Sequence, residues 1–179
     1  MRIISGLHRG KKIVAPLSLP VRPTTDFAKE SLFNILNNYF YPDKIKVLDL
    51  FAGTGNISYE FAARQAISVT AVDNYQPCVN FIKRTAQQLN FENITSIKAD
   101  AVAFLLSCRQ QYNVIFADPP YTYTDYAAIV DAVFEKERLL PDGFLIIEHS
   151  AVIDFSQDDK FYQQRNYGKV NFSIFAQNL

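Results

Sequence analysis

Residues 46–55 read KVLDLFAGTG, a short apolar run followed by a turn that contains two glycines. The run over 46–51 has the length and composition of a buried β-strand, and residues 57–65 beyond the turn have helical spacing. Gly53 and Gly55 allow the backbone to approach a ligand closely and to present its N–H groups. This stretch therefore predicts a strand, a ligand-facing turn and a helix in succession.

The alternation of strand and helix continues through most of the chain. Apolar runs predict strands over 68–73, 94–98, 112–118 and 143–149, and the spacing between them predicts helices over 77–90, 102–108 and 126–137. Strands that alternate with helices form βαβ units, in which a parallel sheet is covered on both faces. Two last runs, 161–167 and 170–176, predict a closing antiparallel hairpin.

The segment before the first predicted strand is basic. Residues 1–25 hold five basic side chains and no acidic one, whereas the whole chain has 18 of each. A basic segment on an acidic body favours a polyanionic partner, most often a nucleic acid. Short apolar pieces around residues 6–10 predict a small hairpin or flap, and Thr25 or Asp26 can cap a helix after it.

Length and composition narrow the class of protein further. A chain of 179 residues suits one domain, and its 49% hydrophobic and 20% charged content excludes a disordered chain. No apolar run approaches the roughly 18 residues that span a membrane, and no signal peptide is recognisable, so we expect a cytoplasmic protein. Cys78 and Cys108 stand far apart, so neither a disulfide framework nor a metal is expected.

Aspartates follow or end four successive predicted strands: Asp49, Asp73, Asp100 and Asp118. Ligands of open α/β sheets bind beyond the carboxyl ends of the strands, so these residues favour a ligand site over simple turns and helix caps. A dinucleotide fingerprint would need a glycine where Ser58 stands, and a phosphate loop would need a Gly-Lys-Ser/Thr ending. Both are disfavoured, while Asp73 lies near the spacing at which an acid binds a ribose.

The run Asp118-Pro119-Pro120-Tyr121 follows the fourth predicted strand. Two prolines present carbonyl acceptors with little backbone freedom, and the aspartate and tyrosine add a carboxylate and a flat ring. Such a turn can hold the amino group of a planar base while the ring stacks on it. The pattern is typical of amine methylation more than of a proline-stiffened turn.

Two of these motifs together resemble a known group of enzymes. Residues 49–55 and 118–121 look like motifs I and IV of S-adenosylmethionine-dependent amino methyltransferases. The segments RIISG (2–6), RG (9–10), RPTTD (22–26) and ESLFN (30–34) are similar to the RsmD family, which methylates the N2 amine of one guanine in 16S ribosomal RNA. Residues 56–58, Asn-Ile-Ser, depart from the more usual small-Leu-Gly of relatives.

The resemblance implies a Rossmann-like class I methyltransferase with a seven-stranded, mostly parallel sheet of order 3-2-1-4-5-7-6. It divides the chain into a basic flap, 1–25, and a methyltransferase domain, 26–179, within a single domain overall. It implies S-adenosylmethionine as cofactor and small-subunit ribosomal RNA, or the assembling small subunit, as partner of a monomer.

The resemblance also implies roles for individual residues. Those implied to bind the cofactor are Asp49, Phe51, Gly53 and Gly55 at its methionine end, Asp73 at its ribose, and Asp100 and Ala101 at its adenine. Asp118, Pro119 and Pro120 would hold the target amine, with Tyr121 stacked on the guanine. Residues assigned to RNA phosphates are Arg9, Lys11, Lys12 and Arg22.

Three other functions remain as alternatives. A DNA adenine-N6 methyltransferase would use the same tetrapeptide, but no separate target-recognition domain is present. A nicotinamide oxidoreductase is weakened by Ser58. A non-catalytic RNA-binding module would have no affinity for the cofactor.

Overall fold

A computed structural model describes residues 1–19, 25–168 and 170–177. The helices are α1 (Asp26–Leu36), α2 (Asn56–Ala63), α3 (Gln76–Gln88), α4 (Ala101–Ser107) and α5 (Tyr126–Glu135). The strands are β1 (Lys46–Leu50), β2 (Ser68–Asp73), β3 (Ile94–Lys98), β4 (Tyr112–Ala117), β5 (Leu139–His149), β6 (Phe161–Tyr167) and β7 (Val170–Phe175).

All seven strands form one sheet in the order β3-β2-β1-β4-β5-β7-β6. The pairs among β1 to β5 are parallel, and β7 is antiparallel to both of its neighbours. The predicted α/β fold, strand order and closing hairpin are therefore confirmed. No helix among the described residues is long and apolar enough to cross a bilayer.

Alternate residues of the central strands point into two separate cores. Val47 of β1 and Phe116 of β4 pack with α1, α2 and α3 on one face of the sheet. Leu48 and Ile115 pack with α4 and α5 on the other face. The two faces of a parallel sheet are both buried, which explains why these strands read as continuous apolar runs.

Most predicted boundaries lie within one or two residues of the observed ones, and the start of β5 differs most. Helix α1 ends at Leu36, and the N–H groups of Asn38 and Tyr39 then form i to i+3 hydrogen bonds before the 3₁₀ turn Pro42–Lys44. Strand β5 begins at Leu139, where it pairs with Tyr112, and its register then shifts before Phe144. A turn-like Pro141-Asp142-Gly143 therefore interrupts the sequence pattern without ending the strand.

Residues 1–13, here called the arm, form a small antiparallel hairpin. The backbone N–H of Ile3 donates to Lys11 at 3.0 Å, and that of Ile13 donates to Met1 at 3.0 Å. Ile3 and Ile13 are buried in the core shared with α1, α2 and α3. The arm is therefore packed into the domain rather than loosely attached to it.

A buried ion pair holds the arm in place. The carboxylate of Glu60 accepts the backbone N–H groups of Ile4 at 2.8 Å and Ser5 at 3.0 Å, and it pairs with Arg64 at 3.0 Å. The Lys29 ammonium lies 3.4 Å from Glu60, and both side chains are almost completely buried. Burial lowers the pKa of Lys29, and the charge of Glu60 opposes that change.

Lys29 of α1 and Gly6 of the arm provide two further contacts between the arm and the helices. The Lys29 ammonium donates to the backbone carbonyl of Arg2 at 2.5 Å and to Asn56 Oδ1 at 2.9 Å. Gly6 has φ +75°, and a Cβ there would lie 2.0 Å from the carbonyl oxygen of Ala63. Only glycine fits this close approach of the arm to α2.

Candidate active site

Two loops lie side by side at the carboxyl edge of the sheet. Residues 51–55, the glycine loop, follow β1, and residues 118–123, the proline turn, follow β4. The two strands are paired, with Leu50 opposite Ala117. The rings of Phe51 and Tyr123 meet edge to face with centroids 5.3 Å apart. The fold thus brings together the two motifs that are 69 positions apart when counted from Asp49 to Asp118.

Backbone geometry accounts for the glycines of the loop. Gly55 has φ +81°, and a Cβ there would lie 2.8 Å from the ring of Tyr59 and 2.9 Å from Ile82. The N–H of Gly53 donates to Asp73 Oδ2 at 2.8 Å, which ties the loop to the end of β2. Phe51 also has a positive φ of 57° although it carries a side chain. The loop is held tightly in a conformation that most residues avoid.

Asp73 and Asp100 lie at the ends of β2 and β3. Asp73 Oδ1 accepts the N–H of Tyr75 at 2.8 Å, in addition to the Gly53 contact of Oδ2. Asp100 is exposed and caps α4 by accepting the N–H of Ala103 at 2.9 Å. Ala101 is the buried first residue of that helix. Both aspartates therefore organise the loops in which they lie, at the edge where a ligand of this fold binds.

Asp49 occupies a different environment from the other aspartates. It lies one residue inside β1 and is only 2% exposed, so it does not face open solvent. Ser58 Oγ donates to Asp49 Oδ2 at 2.5 Å. Burial raises the pKa of Asp49 to about 7, and the Asp118 and Asp73 carboxylates add to the effect, while the Ser58 hydrogen bond opposes it. Ser58, which weakens the dinucleotide interpretation of the sequence, is thus the hydrogen-bond partner of a buried acid.

The residues of the proline turn differ in their exposure to solvent. Asp118 is partly exposed directly after β4, Pro119 is buried, and the Tyr121 side chain is 88% exposed. The carbonyl of Pro120 accepts the N–H of Tyr123 at 2.7 Å. This hydrogen bond closes the turn and uses one of the two lone pairs of the Pro120 carbonyl. The expectation that Asp118, Pro119 and Pro120 hold the target amine stays a prediction.

Glu148 belongs to the site but is not apparent from the sequence. It is the penultimate residue of β5, and the pairing of Ala117 with Ile147 brings it beside Asp118. Its Oε2 is buried and has no hydrogen-bond partner among the described residues. Burial, followed by the charge of Asp118, raises the pKa of Glu148 to about 8. The acid at the end of the run GFLIIEH is the only sequence signal, and it becomes informative once the strand order is known.

Glu148 should make the stability of the protein depend on pH. The folded state keeps a proton on Glu148 up to about pH 8, whereas an unfolded glutamate releases it near its usual pKa of about 4.3. The free energy of unfolding should therefore fall as pH rises through this interval. Because glutamine is a neutral isostere, Glu148→Gln should match the parent at about pH 4 and be more stable at about pH 8.

Urea unfolding at both pH values measures this difference. Glu92→Gln is the matched control, because Glu92 is exposed and away from the site. A Glu148→Gln variant whose stability differs from that of the parent by the same amount at both pH values would show that Glu148 is ionised in the folded protein.

The basic residues assigned to RNA lie along the arm. Arg9, Lys11 and Lys12 are all exposed. Lys11 and Lys12 line a groove between the arm and α3, while Arg9 is at the hairpin tip. Arg22 lies outside the described residues. Within residues 1–19, 25–168 and 170–177, no group of three or more histidine, cysteine or acidic side chains could hold a metal ion.

Comparison with known proteins agrees with the family that the motifs resemble. The family model described as conserved hypothetical protein 95 matches residues 1–176. Ribosomal RNA small subunit methyltransferase D of Haemophilus influenzae is 33% identical over 83% of this chain and 78% of its own length. The protein of the same name from Escherichia coli K12 is 32% identical over 83% of this chain and 74% of its own length.

Solved structures share the fold over almost the whole chain. The Haemophilus influenzae protein HI0767 is 27% identical, with a TM-score of 0.78 over 97% of this chain and 96% of its own. The Escherichia coli protein yhhF is 24% identical, with a TM-score of 0.84 over 98% and 96%. The chain therefore belongs to the conserved hypothetical protein 95 family, the RsmD family.

Proposed function

We propose that this protein transfers a methyl group from S-adenosylmethionine to the exocyclic N2 amine of a guanine in small-subunit ribosomal RNA. It is an S-adenosylmethionine-dependent methyltransferase, in line with the named members of its family. The observation that carries the proposal is the contact between the glycine loop and the proline turn at the ends of two paired strands. This contact supports a methyl donor and a target amine held next to each other.

The residues at the edge of the sheet fit the cofactor chemically. Tyr59 and Ile82 leave no room for a Cβ on Gly55, so glycine is needed for the left-handed turn that shapes the glycine loop. We assign the glycine loop, together with Asp49 before it, to the methionine end of the cofactor. When bound, the cofactor supplies an electrophilic methyl group. We assign Asp73 to its ribose and Asp100 with Ala101 to its adenine.

The proline turn is assigned to the target base. The Asp118 carboxylate and the Pro119 carbonyl accept the hydrogens of the amine, which favours a pyramidal nitrogen with an available lone pair. With the cofactor bound, transfer of its methyl group from sulfur to the amine would place positive charge on the nitrogen, which the Asp118 carboxylate would stabilise. The nitrogen then loses one proton, for which Asp118 is the nearest assigned acceptor. The exposed ring of Tyr121 is assigned to stack on the guanine.

The names of the relatives indicate the class of substrate that we propose. Their names give the small subunit of the ribosome, and the basic arm of this chain suits a polyanion. We propose 16S ribosomal RNA, free or in the assembling subunit, as the substrate of a cytoplasmic monomer. The guanine would leave its helical context to reach the proline turn.

A methyl-transfer assay tests the proposal. The protein is incubated with S-adenosylmethionine labelled in its methyl group and with small-subunit ribosomal RNA, and the digested nucleosides are identified by mass spectrometry. We expect N2-methylguanosine. Large-subunit ribosomal RNA and duplex DNA are the matched substrates that should stay unlabelled. Label in N6-methyladenine of DNA, or no transfer to either nucleic acid, would overturn the proposal.

A further inference from the structure

Helix α3 presents a row of polar and basic side chains to solvent. Asn80, Lys83, Arg84 and Gln87 lie on successive turns of the helix and line one shallow depression. All four are exposed. None of them takes part in the site at the carboxyl edge of the sheet. This helix face therefore has no role in the chemistry derived above.

A groove joins this row to the arm. Lys11, Lys12 and Val14 form one side of the groove, and Thr85 and Gln88 of α3 are among the residues of the other side. Gln88 of the groove lies four residues after Arg84 of the depression, on the neighbouring turn of the helix, so the groove and the depression border each other there. The cations of the arm and those of α3 thus lie on one continuous surface, which we call the basic track.

The arm links the basic track to the proposed active site. Thr54 Oγ1 of the glycine loop lies 3.8 Å from the sulfur of Met1, at the open end of the arm hairpin. At the other end of the hairpin, His8 Nε2 lies 2.8 Å from the carbonyl oxygen of Leu89, the residue that ends α3. The arm, which carries Lys11 and Lys12 of the track, therefore reaches from the glycine loop to the end of α3.

Charge is distributed so that this side of the molecule attracts anions. Residues 1–19 have four basic and no acidic side chains, and residues 76–90 have Lys83 and Arg84 and again no acid. With a net charge of zero for the chain, all other residues together carry six negative charges in excess. Acids such as Asp131 and Glu135 are exposed on α5, which packs on the opposite face of the sheet.

We propose that the basic track binds the phosphate backbone of the RNA that flanks the target base. The inference rests on the proposed function and extends it, because it assigns Lys83 and Arg84 of α3 to the RNA interface together with Lys11 and Lys12. The exposed side-chain amides of Asn80, Gln87 and Gln88 suit phosphate oxygens. The absence of bulky exposed aromatic side chains among the residues that line the track favours backbone contacts over base stacking.

The salt dependence of RNA binding tests the proposal. The probe is a fluorescein-labelled RNA stem-loop with single-stranded flanks, titrated with the full-length protein over a series of salt concentrations. Each lost phosphate contact should reduce the slope of log K against log salt by about 0.7 for single strands and 0.9 for duplex. Lys83→Gln/Arg84→Gln should therefore reduce it by about 1.4 to 1.8. The same change should result from Lys11→Gln/Lys12→Gln, and the four substitutions together should add.

Arg109→Gln/Lys136→Gln is the matched control. It removes the same charges from exposed residues that follow α4 and end α5, on the opposite face of the sheet. This control should keep the slope of the parent. Calorimetric affinity for S-adenosylmethionine should be the same in all variants, which shows that each one is folded.

The outcomes test the basic track and the proposed function separately. An unchanged slope for Lys83→Gln/Arg84→Gln would overturn the assignment of α3 and leave its face to some other partner, such as an acidic protein. An equal reduction of the slope in the Arg109→Gln/Lys136→Gln control would also overturn it, because the slope would then depend on the net charge of the protein rather than on where the charges lie. Reduced slopes with a parent that methylates no RNA would support the track and contradict the proposed function.

Discussion

Replacing Asp118 by alanine should lower the turnover of methyl transfer by about 100-fold to 1,000-fold. The reason is that the variant loses a preorganised carboxylate at the point where positive charge develops on the amine. Affinity for S-adenosylmethionine and the free energy of unfolding should change little, because Asp118 is partly exposed at the end of β4. Single-turnover kinetics with saturating cofactor and RNA measure the effect.

Two further variants make the result specific. Asp118→Asn keeps an oxygen that can accept an amine hydrogen, so it should retain more activity than Asp118→Ala. Asp131→Ala is the control, since it removes an exposed aspartate from α5. A single-turnover rate for Asp118→Ala equal to that of the control would remove Asp118 from the mechanism.

Replacing Glu60 by alanine should destabilise the protein by about 3 to 5 kcal/mol. The variant leaves the Lys29 ammonium buried without its anionic partner and removes the acceptor of two backbone N–H groups in the arm. Urea unfolding measures the loss. Arg2→Gln is the control, because the Arg2–Asp26 pair is about half exposed on both sides and should contribute no more than about 1 kcal/mol.

A double variant separates the buried charge from the lost hydrogen bonds. Lys29→Met/Glu60→Gln removes both charges and keeps an amide at position 60, so it should recover part of the stability that Glu60→Ala loses. This measurement remains informative if Glu60→Ala does not fold. Free energies of unfolding for Glu60→Ala and Arg2→Gln that agree within about 1 kcal/mol would show that the buried pair does not anchor the arm.

Much of the architecture could be predicted because it depends on local patterns. The β-type runs around Leu48, Ala71 and Ile115 are buried on both faces, so they stand out as continuous apolar segments. Gly55 and Pro119 indicate the local backbone conformation by residue type alone, because glycine permits a positive φ and proline fixes φ. For the same reason the sequence predicts where the glycine loop and the proline turn lie along the chain. Their contact follows from the adjacency of β1 and β4.

Other features depend on pairs of residues that are distant in sequence. Lys29 forms an ion pair with Glu60, which lies 31 positions later in the sequence. In the sequence each of them looks like an ordinary charged residue on the exposed face of a helix. Glu148 becomes significant only beside Asp118, which requires the order of the strands. Ser58 was a reason to reject one motif, and its hydrogen bond to Asp49 is visible only in the fold. A sequence pattern carries no information on such partners until the elements are placed.

The buried anchorage of the arm also sets an order of events during synthesis. Residues 1–13 leave the ribosome before their partners Glu60, Ala63 and Leu89 exist. At about 5 to 20 residues per second, the nascent arm waits roughly 4 to 15 s for residue 89 to be made. During that time Ile3 and Ile13, which end in the core, remain in water or on a chaperone. The arm therefore docks after a delay, and the surface proposed to meet RNA is completed only after α3 has been made.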